Sequence, residues 1–115
     1  MNIDKDLVAA MATPLVLAIL AGGTSYGYAI LKSVRDLSAG ELEWTDGMLY
    51  PLLHRLERLG YISSEWGASP EGRRRRYYDI TLAGRAQLAE QRKQWVTATR
   101  TLGRLWDIAL PVPGA

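Results

Sequence analysis

Three consecutive segments in the middle of the chain decide its fold. Residues 44–60 read WTDGMLYPLLHRLERLG, residues 61–66 read YISSEW, and residues 73–80 read RRRRYYDI, with the turn-forming sequence GASPEG at positions 67–72. The first segment carries apolar residues at helical spacing, and the other two alternate in the manner of strands. We therefore expect one amphipathic helix followed by a β-hairpin.

The helix of this stretch has its apolar residues on one face. Thr45 is expected to cap it, because a threonine hydroxyl accepts a hydrogen bond from a free amide of the first turn. Pro51 lacks an amide hydrogen, so a start nearer Leu49 than Asp46 remains open. The predicted apolar stripe consists of Leu49, Leu52, Leu53, Leu56 and Leu59. The opposite face displays Asp46, Gly47, Tyr50, Pro51, His54, Arg55 and Arg58.

The hairpin begins its second strand with four consecutive arginines, Arg73–Arg76. Period-two alternation on that strand places Tyr78 and Ile80 inward and leaves Arg75 and Tyr77 exposed. A helix followed by a basic-tipped hairpin is the plan of a winged helix-turn-helix, in which the helix reads DNA and the hairpin grips the phosphates. The predicted fold class is therefore mostly α with a small β-hairpin.

Two further helices are predicted before this stretch. The first covers residues 6–21, with Pro14 as a kink or a fresh start. The second runs from about Tyr26 to Leu37 and is expected to be capped by Thr24 or Ser25. Together with the hairpin, these helices make up a predicted winged helix-turn-helix domain at residues 1–81.

A long final helix is predicted from Leu82 to about Ala109, capped by Thr81. Its seam steps alternately by four and three residues for three heptads, as in a coiled coil. A projecting helix with tryptophans on its seam needs a partner, and the simplest partner is a second copy in a two-fold dimer. The expected dimerisation residues are Leu88, Trp95, Leu102 and Trp106. The corresponding domains are a dimerisation helix at 82–110 and a disordered tail at 111–115.

Charge is distributed unevenly along the 115 residues. The net charge is +2, but residues 1–53 carry three basic against six acidic residues, whereas residues 54–104 carry eleven against five. Basic charge concentrated in the hairpin and the last helix is expected of a polyanion partner, either nucleic acid or an anionic membrane.

Several other functions are disfavoured by composition. The chain has one histidine, no cysteine and no glycine-rich loop of Walker or Rossmann spacing, so we expect no enzyme, no cofactor and no metal. The uncharged run from Leu7 to Gly23 is shorter than the ~20 residues of a membrane span and contains polar and helix-breaking residues. It predicts a buried core helix rather than a signal peptide or membrane segment, and a cytoplasmic location is expected.

Several pieces of the sequence resemble the PadR-type transcriptional regulators, specifically the short subgroup with one C-terminal dimerisation helix. In family order the pieces are YGYAI at 26–30, LYP at 49–51, LHRLERLG at 53–60, GRRRRYYDIT at 72–81 and GR at 84–85. The resemblance implies a dimeric DNA-binding regulator, and a repressor. Two departures are Met48, where the family commonly has threonine, and the Arg73–Arg76 run, which is more basic than usual and is expected to strengthen non-specific binding.

The expected DNA contacts lie on the polar face of the helix and on the hairpin. Tyr50 and His54, one turn apart, are placed to reach the major groove or its phosphates, although a lone histidine is often structural. Arg55 suits a bidentate contact with a guanine edge. Thr45 has either a capping role alone or a phosphate contact as well. The full predicted set is Thr45, Gly47, Tyr50, Pro51, His54, Arg55, Arg73, Arg74, Arg75 and Tyr77.

In multidrug-sensing members of the subgroup, a tryptophan at the place of Trp95 resembles a pincer that sandwiches planar aromatic ligands. The resemblance therefore implies a repressor that releases its operator when a planar aromatic molecule binds at the dimer interface. The expected lining residues are Trp95, Val8, Met11, Ala12 and Thr99. Three alternatives stay open: Trp95 only fills the dimer core, the chain is a constitutive DNA-binding regulator without a ligand, or the basic module binds another polyanion.

Overall fold

A computed structural model describes residues 1–106, which form four helices and a three-stranded sheet. The helices are α1 Lys5–Ala21, α2 Gly27–Leu37, α3 Asp46–Arg58 and α4 Leu82–Trp106. The strands are β1 Ser25–Tyr26, β2 Ile62–Ala68 and β3 Arg74–Ile80. This architecture confirms the predicted winged helix-turn-helix with a long C-terminal helix. The predicted helix end near Ala109 and the predicted tail at 111–115 lie outside the described residues.

The core forms where α1, α2 and α3 pack over the inner face of the sheet. Its fully buried side chains include Leu17, Ile30 and Leu53 from the three helices, with Ile62 and Tyr78 from the strands. The uncharged run that begins at Leu7 thus belongs to a core helix, as predicted. It continues through Pro14 without a break, so the fresh start that the proline suggested does not occur.

The apolar stripe of α3 is correct over most of its length and wrong at its end. Leu49, Leu53 and Leu56 are fully buried, but Leu59 is 54% exposed. The reason is that the helix ends at Arg58 and Leu59 is its C-cap, so helical spacing no longer sets the direction of that side chain. Thr45 caps the start as predicted, with Oγ1 accepting from the Met48 amide at 3.3 Å.

Thr24 and Ser25 do not cap α2, contrary to prediction. Ser25 instead belongs to a two-residue strand, and it pairs in antiparallel fashion with Tyr78 of β3. The Thr24 hydroxyl donates to Asp79 of the same strand. α2 begins after Tyr26, whose side chain makes no capping hydrogen bond. Thr24 and Ser25 therefore interact with the edge of β3 and do not cap the start of α2.

The hairpin is called the wing below and comprises β2, β3 and their turn, residues 62–80. Its first strand is longer than predicted, its second strand begins one residue later, and its turn is shorter. β2 continues to Ala68, which faces Arg74 in the register, and Ile62 faces Ile80. The turn closes where the Ser69 amide donates to the Arg73 carbonyl at 2.7 Å. Gly72 occupies the left-handed region at φ 83°, which disfavours other residues there.

α4 is fixed at its start by a capping contact. The Thr81 hydroxyl accepts from the Gly84 amide at 3.0 Å, as predicted, and donates to the Gly60 carbonyl at 2.6 Å. A Cβ at Gly84 would overlap the Tyr61 carbonyl oxygen, so α4 can sit this close only with glycine. Further along, α4 packs beside α1. No helix within residues 1–106 is long and apolar enough to cross a membrane.

Candidate nucleic-acid interface

The exposed face of α3 presents the aromatic and ionisable residues predicted to read DNA. Tyr50 is 39% exposed, and Pro51 and His54 are also exposed. The Tyr50 hydroxyl lies against the backbone of Gly27, the first residue of α2, where a Cβ would overlap it. This contact ties the start of α2 to α3 and fixes the direction in which the Tyr50 ring points.

Beside α3, the wing arranges its arginines against aromatic rings. The Arg74 guanidinium lies 4.5 Å from the centre of the Trp66 ring, and the Arg75 guanidinium lies 3.8 Å from the centre of the Tyr26 ring. Tyr26 in turn meets Tyr77 edge to face at 6.0 Å. Such stacks hold a guanidinium in place before any anion arrives, so less side-chain entropy is lost on binding.

A groove of about 830 Å³ runs between α3 and the wing, and we call it the wing groove. The charged side chains that line it are arginines, and no carboxylate does so among the described residues. An aromatic-walled groove with convergent guanidinium groups suits the phosphates of a nucleic acid. Its lining comprises Tyr26, Gly27, Tyr28, Tyr50, His54, Trp66, Arg74, Arg75, Arg76 and Tyr78.

Two of the predicted contacts depart from the expected exposure. Arg75 and Tyr77 were expected to be exposed, but both are half-buried, and the Arg75 side chain is only 26% exposed. The reason is β1, which adds a third strand beside β3 and places Tyr26 over this face. Tyr77 donates to the Ala68 carbonyl at 3.1 Å, so its hydroxyl supports the hairpin.

The other predicted DNA residues are not part of the lining of the wing groove. Arg73 is exposed at the turn, where its amide donates to the Ser69 hydroxyl at 3.1 Å. Thr45 and Gly47 are exposed at the start of α3. Arg55 points to the other side of α3, where Nη2 donates to Thr13 Oγ1 of α1 at 3.3 Å. The structure thus brings Tyr50, His54, Arg74 and Arg75 together in one groove and leaves the remaining predicted residues outside its lining.

Sequence reasoning missed four aromatic residues of the groove, namely Tyr26, Tyr28, Trp66 and the buried Tyr78. Trp66 had a usable signal, because it faces Arg76 in the hairpin register. Tyr26 and Tyr28 had none, since their placement depends on β1. Below them, burial raises the pKa of the Tyr78 hydroxyl above its ordinary value, and the nearby Arg76 guanidinium acts in the opposite direction.

A second depression, which we call the α1–α4 cavity, has a volume of about 520 Å³ and is almost wholly apolar. It contains two of the predicted ligand residues, Met11 and Trp95. Ala12 instead faces the core at 7% exposure, and Val8 lines a different depression with Trp44. Thr99 donates to the Trp95 carbonyl at 2.8 Å and is not part of the lining. The lining comprises Met11, Pro14, Leu15, Ala18, Ala21, Leu88, Arg92 and Trp95.

The predicted dimerisation residues divide into two groups along α4. Leu88 and Trp95 are half-buried and line the α1–α4 cavity of their own chain. Leu102 and Trp106 are 42% and 60% exposed, and Leu105 between them is 81% exposed. Within the described residues, the end of α4 therefore displays an apolar surface to solvent.

Comparison with known proteins agrees with this geometry. Residues 16–90 match the profile of the transcriptional regulator PadR-like family. Transcriptional regulator Rv3488 of Mycobacterium tuberculosis is 46% identical over 59 residues, which are 51% of this chain and 54% of that protein.

Solved structures share the fold over nearly the whole chain. A transcriptional regulator from Clostridium thermocellum is 29% identical, covers 87% of this chain and 97% of its own, and has a TM-score of 0.80. A PadR-like transcriptional regulator from Bacillus cereus is 26% identical, with coverage of 89% and 97% and a TM-score of 0.79. PadR-family regulators bind DNA and typically dimerise, and the family is not enzymatic. Because the matched region spans well over half of its residues, this chain belongs to the PadR-like family of transcriptional regulators.

Proposed function

We propose that the protein represses transcription as a homodimer that holds duplex DNA in its two wing grooves and releases it when a planar aromatic molecule enters the α1–α4 cavity. The observation that carries the proposal is the arrangement of the wing groove. Guanidinium groups of Arg74 and Arg75, stacked on Trp66 and Tyr26, converge beside the exposed face of α3. The proposed DNA-binding role agrees with the cytoplasmic location expected from the sequence.

In this proposal α3 enters the major groove and the wing follows the adjacent phosphate backbone. Tyr50 and His54 lie on the leading face of α3 and reach base edges or phosphates. The arginines of the wing neutralise phosphates, which positions the protein without reading sequence. Arg55 reads a base only after its hydrogen bond to Thr13 is exchanged for one to DNA, because that bond now directs its guanidinium to α1.

A second copy supplies the partner for the end of α4. The described part of the helix exposes Leu102, Leu105 and Trp106, and such a surface is rare on a monomer unless another protein covers it. Residues 1–81 then form the DNA-binding unit, and the helix from Leu82 pairs two units. A two-fold dimer of this kind contacts half-sites about 34–36 Å apart on one side of the duplex.

Ligand release rests on the α1–α4 cavity and on its connection to α3. Trp95 offers an aromatic face in a cavity large enough for a small planar molecule. Pro14 lines the same cavity, and its neighbour Thr13 holds Arg55 of α3. A ligand that displaces α1 thereby also displaces the recognition helix, which favours dimers whose wing grooves are wrongly spaced for the operator.

The test is selection of bound duplexes from a random-sequence library, followed by gel-shift titration of the winning duplex, a random duplex and anionic vesicles. The proposal predicts a pseudo-palindromic winner retained far better than the other two, by a species that sediments as a dimer. Equal affinity for all three supports a general polyanion binder instead. A preferred duplex that no planar dye displaces supports a constitutive regulator.

A further inference from the structure

One carboxylate on α3 reaches both strands of the wing. Glu57, in the last turn of α3, has its two carboxylate oxygens 2.8 and 2.7 Å from the Ser64 hydroxyl of β2. The Arg76 guanidinium of β3 lies 3.8 Å from the same carboxylate. The two side chains of this ion pair are 33% and 37% exposed, so solvent screens the pair only in part.

Arg76 is therefore placed differently from the other arginines of its run. Its guanidinium lies 3.8 Å from the Glu57 carboxylate and 5.3 Å from the centre of the Trp66 ring. Arg74 stacks on the same Trp66 ring, with its guanidinium 4.5 Å from the ring centre, and no carboxylate of residues 1–106 lies within 4.0 Å of it. Arg75 lies 4.0 Å from the largely exposed Glu71 carboxylate of the turn, whereas Arg76 pairs with a carboxylate of α3, at the wall of the wing groove.

We propose that Glu57 is a positioning residue that fixes the wing relative to the recognition helix and withholds Arg76 from phosphates, so that operator DNA is favoured over other DNA. This inference rests on the proposed DNA-binding function. Specific binding requires α3 and the wing to contact one duplex in a fixed relation, whereas non-specific binding requires only positive charge. A carboxylate beside the groove weakens the attraction for any duplex. It improves discrimination between operator and other DNA only because it fixes the position of the wing relative to α3.

The experiment measures the affinity of the full-length chain for the duplex selected above and for a random duplex, across a salt series. In Glu57→Gln, the amide still accepts from Ser64, but Arg76 is released. Affinity for the random duplex should rise, and its log–log salt slope should steepen by about 0.9 for each subunit that gains a phosphate contact. The ratio of specific to non-specific affinity should fall by about fivefold or more.

Two further variants separate positioning from charge. Glu65→Gln removes the same charge from β2, where Glu65 pairs with Tyr77 and makes no contact with Arg76, so both affinities should rise in parallel and their ratio should stay constant. Adding Arg76→Gln to Glu57→Gln should return the salt slope to that of the wild type. Ser64→Ala keeps all charges and should lower the ratio without changing the slope.

Three results would overturn the inference. The first is a parallel loss of both affinities in Glu57→Gln with an unchanged ratio, which indicates only a structural role. The second is a Glu57→Gln variant whose ratio of specific to non-specific affinity and whose salt slope both equal those of Glu65→Gln. The third is an unchanged ratio in Ser64→Ala, which decides the matter even if Glu57→Gln fails to fold. If the library yields no preferred duplex, the proposed function is wrong, and this inference is wrong with it.

Discussion

Replacing Arg73, Arg74 and Arg75 together with alanine should flatten the salt dependence of DNA binding. Each phosphate that a protein neutralises contributes about −0.9 to the slope of log K against log salt. Three arginines from each of two subunits reach at most six phosphates, so the slope should fall in magnitude by up to about 5. The structure also ranks the single variants. Arg73 and Arg74 should each contribute more than Arg75, because Arg75 lies 4.0 Å from the Glu71 carboxylate and is partly neutralised by it.

The measurement is fluorescence anisotropy of a labelled selected duplex, titrated from about 50 to about 200 mM salt. Arg100→Ala is the matched control, since it removes one positive charge from an exposed position of α4. Its slope should equal that of the wild type. If the triple variant and the control keep the same slope, the wing does not contact phosphates, and the assignment of the wing groove to DNA is wrong.

Three further predictions concern stability and ligand binding. Gly84→Ala should lower the free energy of unfolding by about 1–3 kcal/mol, because the new methyl overlaps a backbone carbonyl. Gly47→Ala should raise it by up to about 1 kcal/mol, because its Cβ would only make a van der Waals contact with Thr45 Oγ1 at 3.8 Å. Urea titration measures both. A planar dye should quench tryptophan fluorescence, with affinity reduced about tenfold in Trp95→Ala and unchanged in Trp66→Phe. Burial raises the pKa of Tyr78, so its contribution to stability is complete below about pH 10 and is lost as the pH rises through the higher folded pKa. The midpoint temperature of thermal unfolding should therefore decrease less steeply with rising alkaline pH in Tyr78→Phe than in the wild type.

The helices and the hairpin could be predicted because each has a local signal. Leucine spacing placed α3, hydroxyl caps at Thr45 and Thr81 fixed two helix starts, and the run of arginines located the second strand of the wing. These signals depend on neighbours within about one or two turns along the chain. They remain valid when the chain folds because the core of α1, α2 and α3 buries the same stripes.

The errors have a different origin, in contacts between distant segments. β1 consists of two residues, and its strand character exists only because Ser25 and Tyr26 meet β3 more than fifty positions later. From that missed strand follow the wrong caps for α2 and the wrong exposure of Arg75. The predicted ligand residues Val8 and Ala12 do not line the α1–α4 cavity for a similar reason, since only the packing of α1 on α4 brings Met11 and Pro14 into one lining with Trp95. Whether that cavity binds a ligand stays a prediction.

The absence of cysteine from the sequence allows one direct measurement of where DNA lies. A cysteine introduced by His54→Cys, on the exposed face of α3, carries an iron–EDTA cleavage reagent at a single position, and Lys93→Cys on α4 carries it as a control. With the selected duplex, the reagent at position 54 should cut at two places about one helical turn apart, and the reagent at position 93 should cut neither. Cleavage from position 93 with none from position 54 would contradict the assignment of the wing groove as the DNA-binding site.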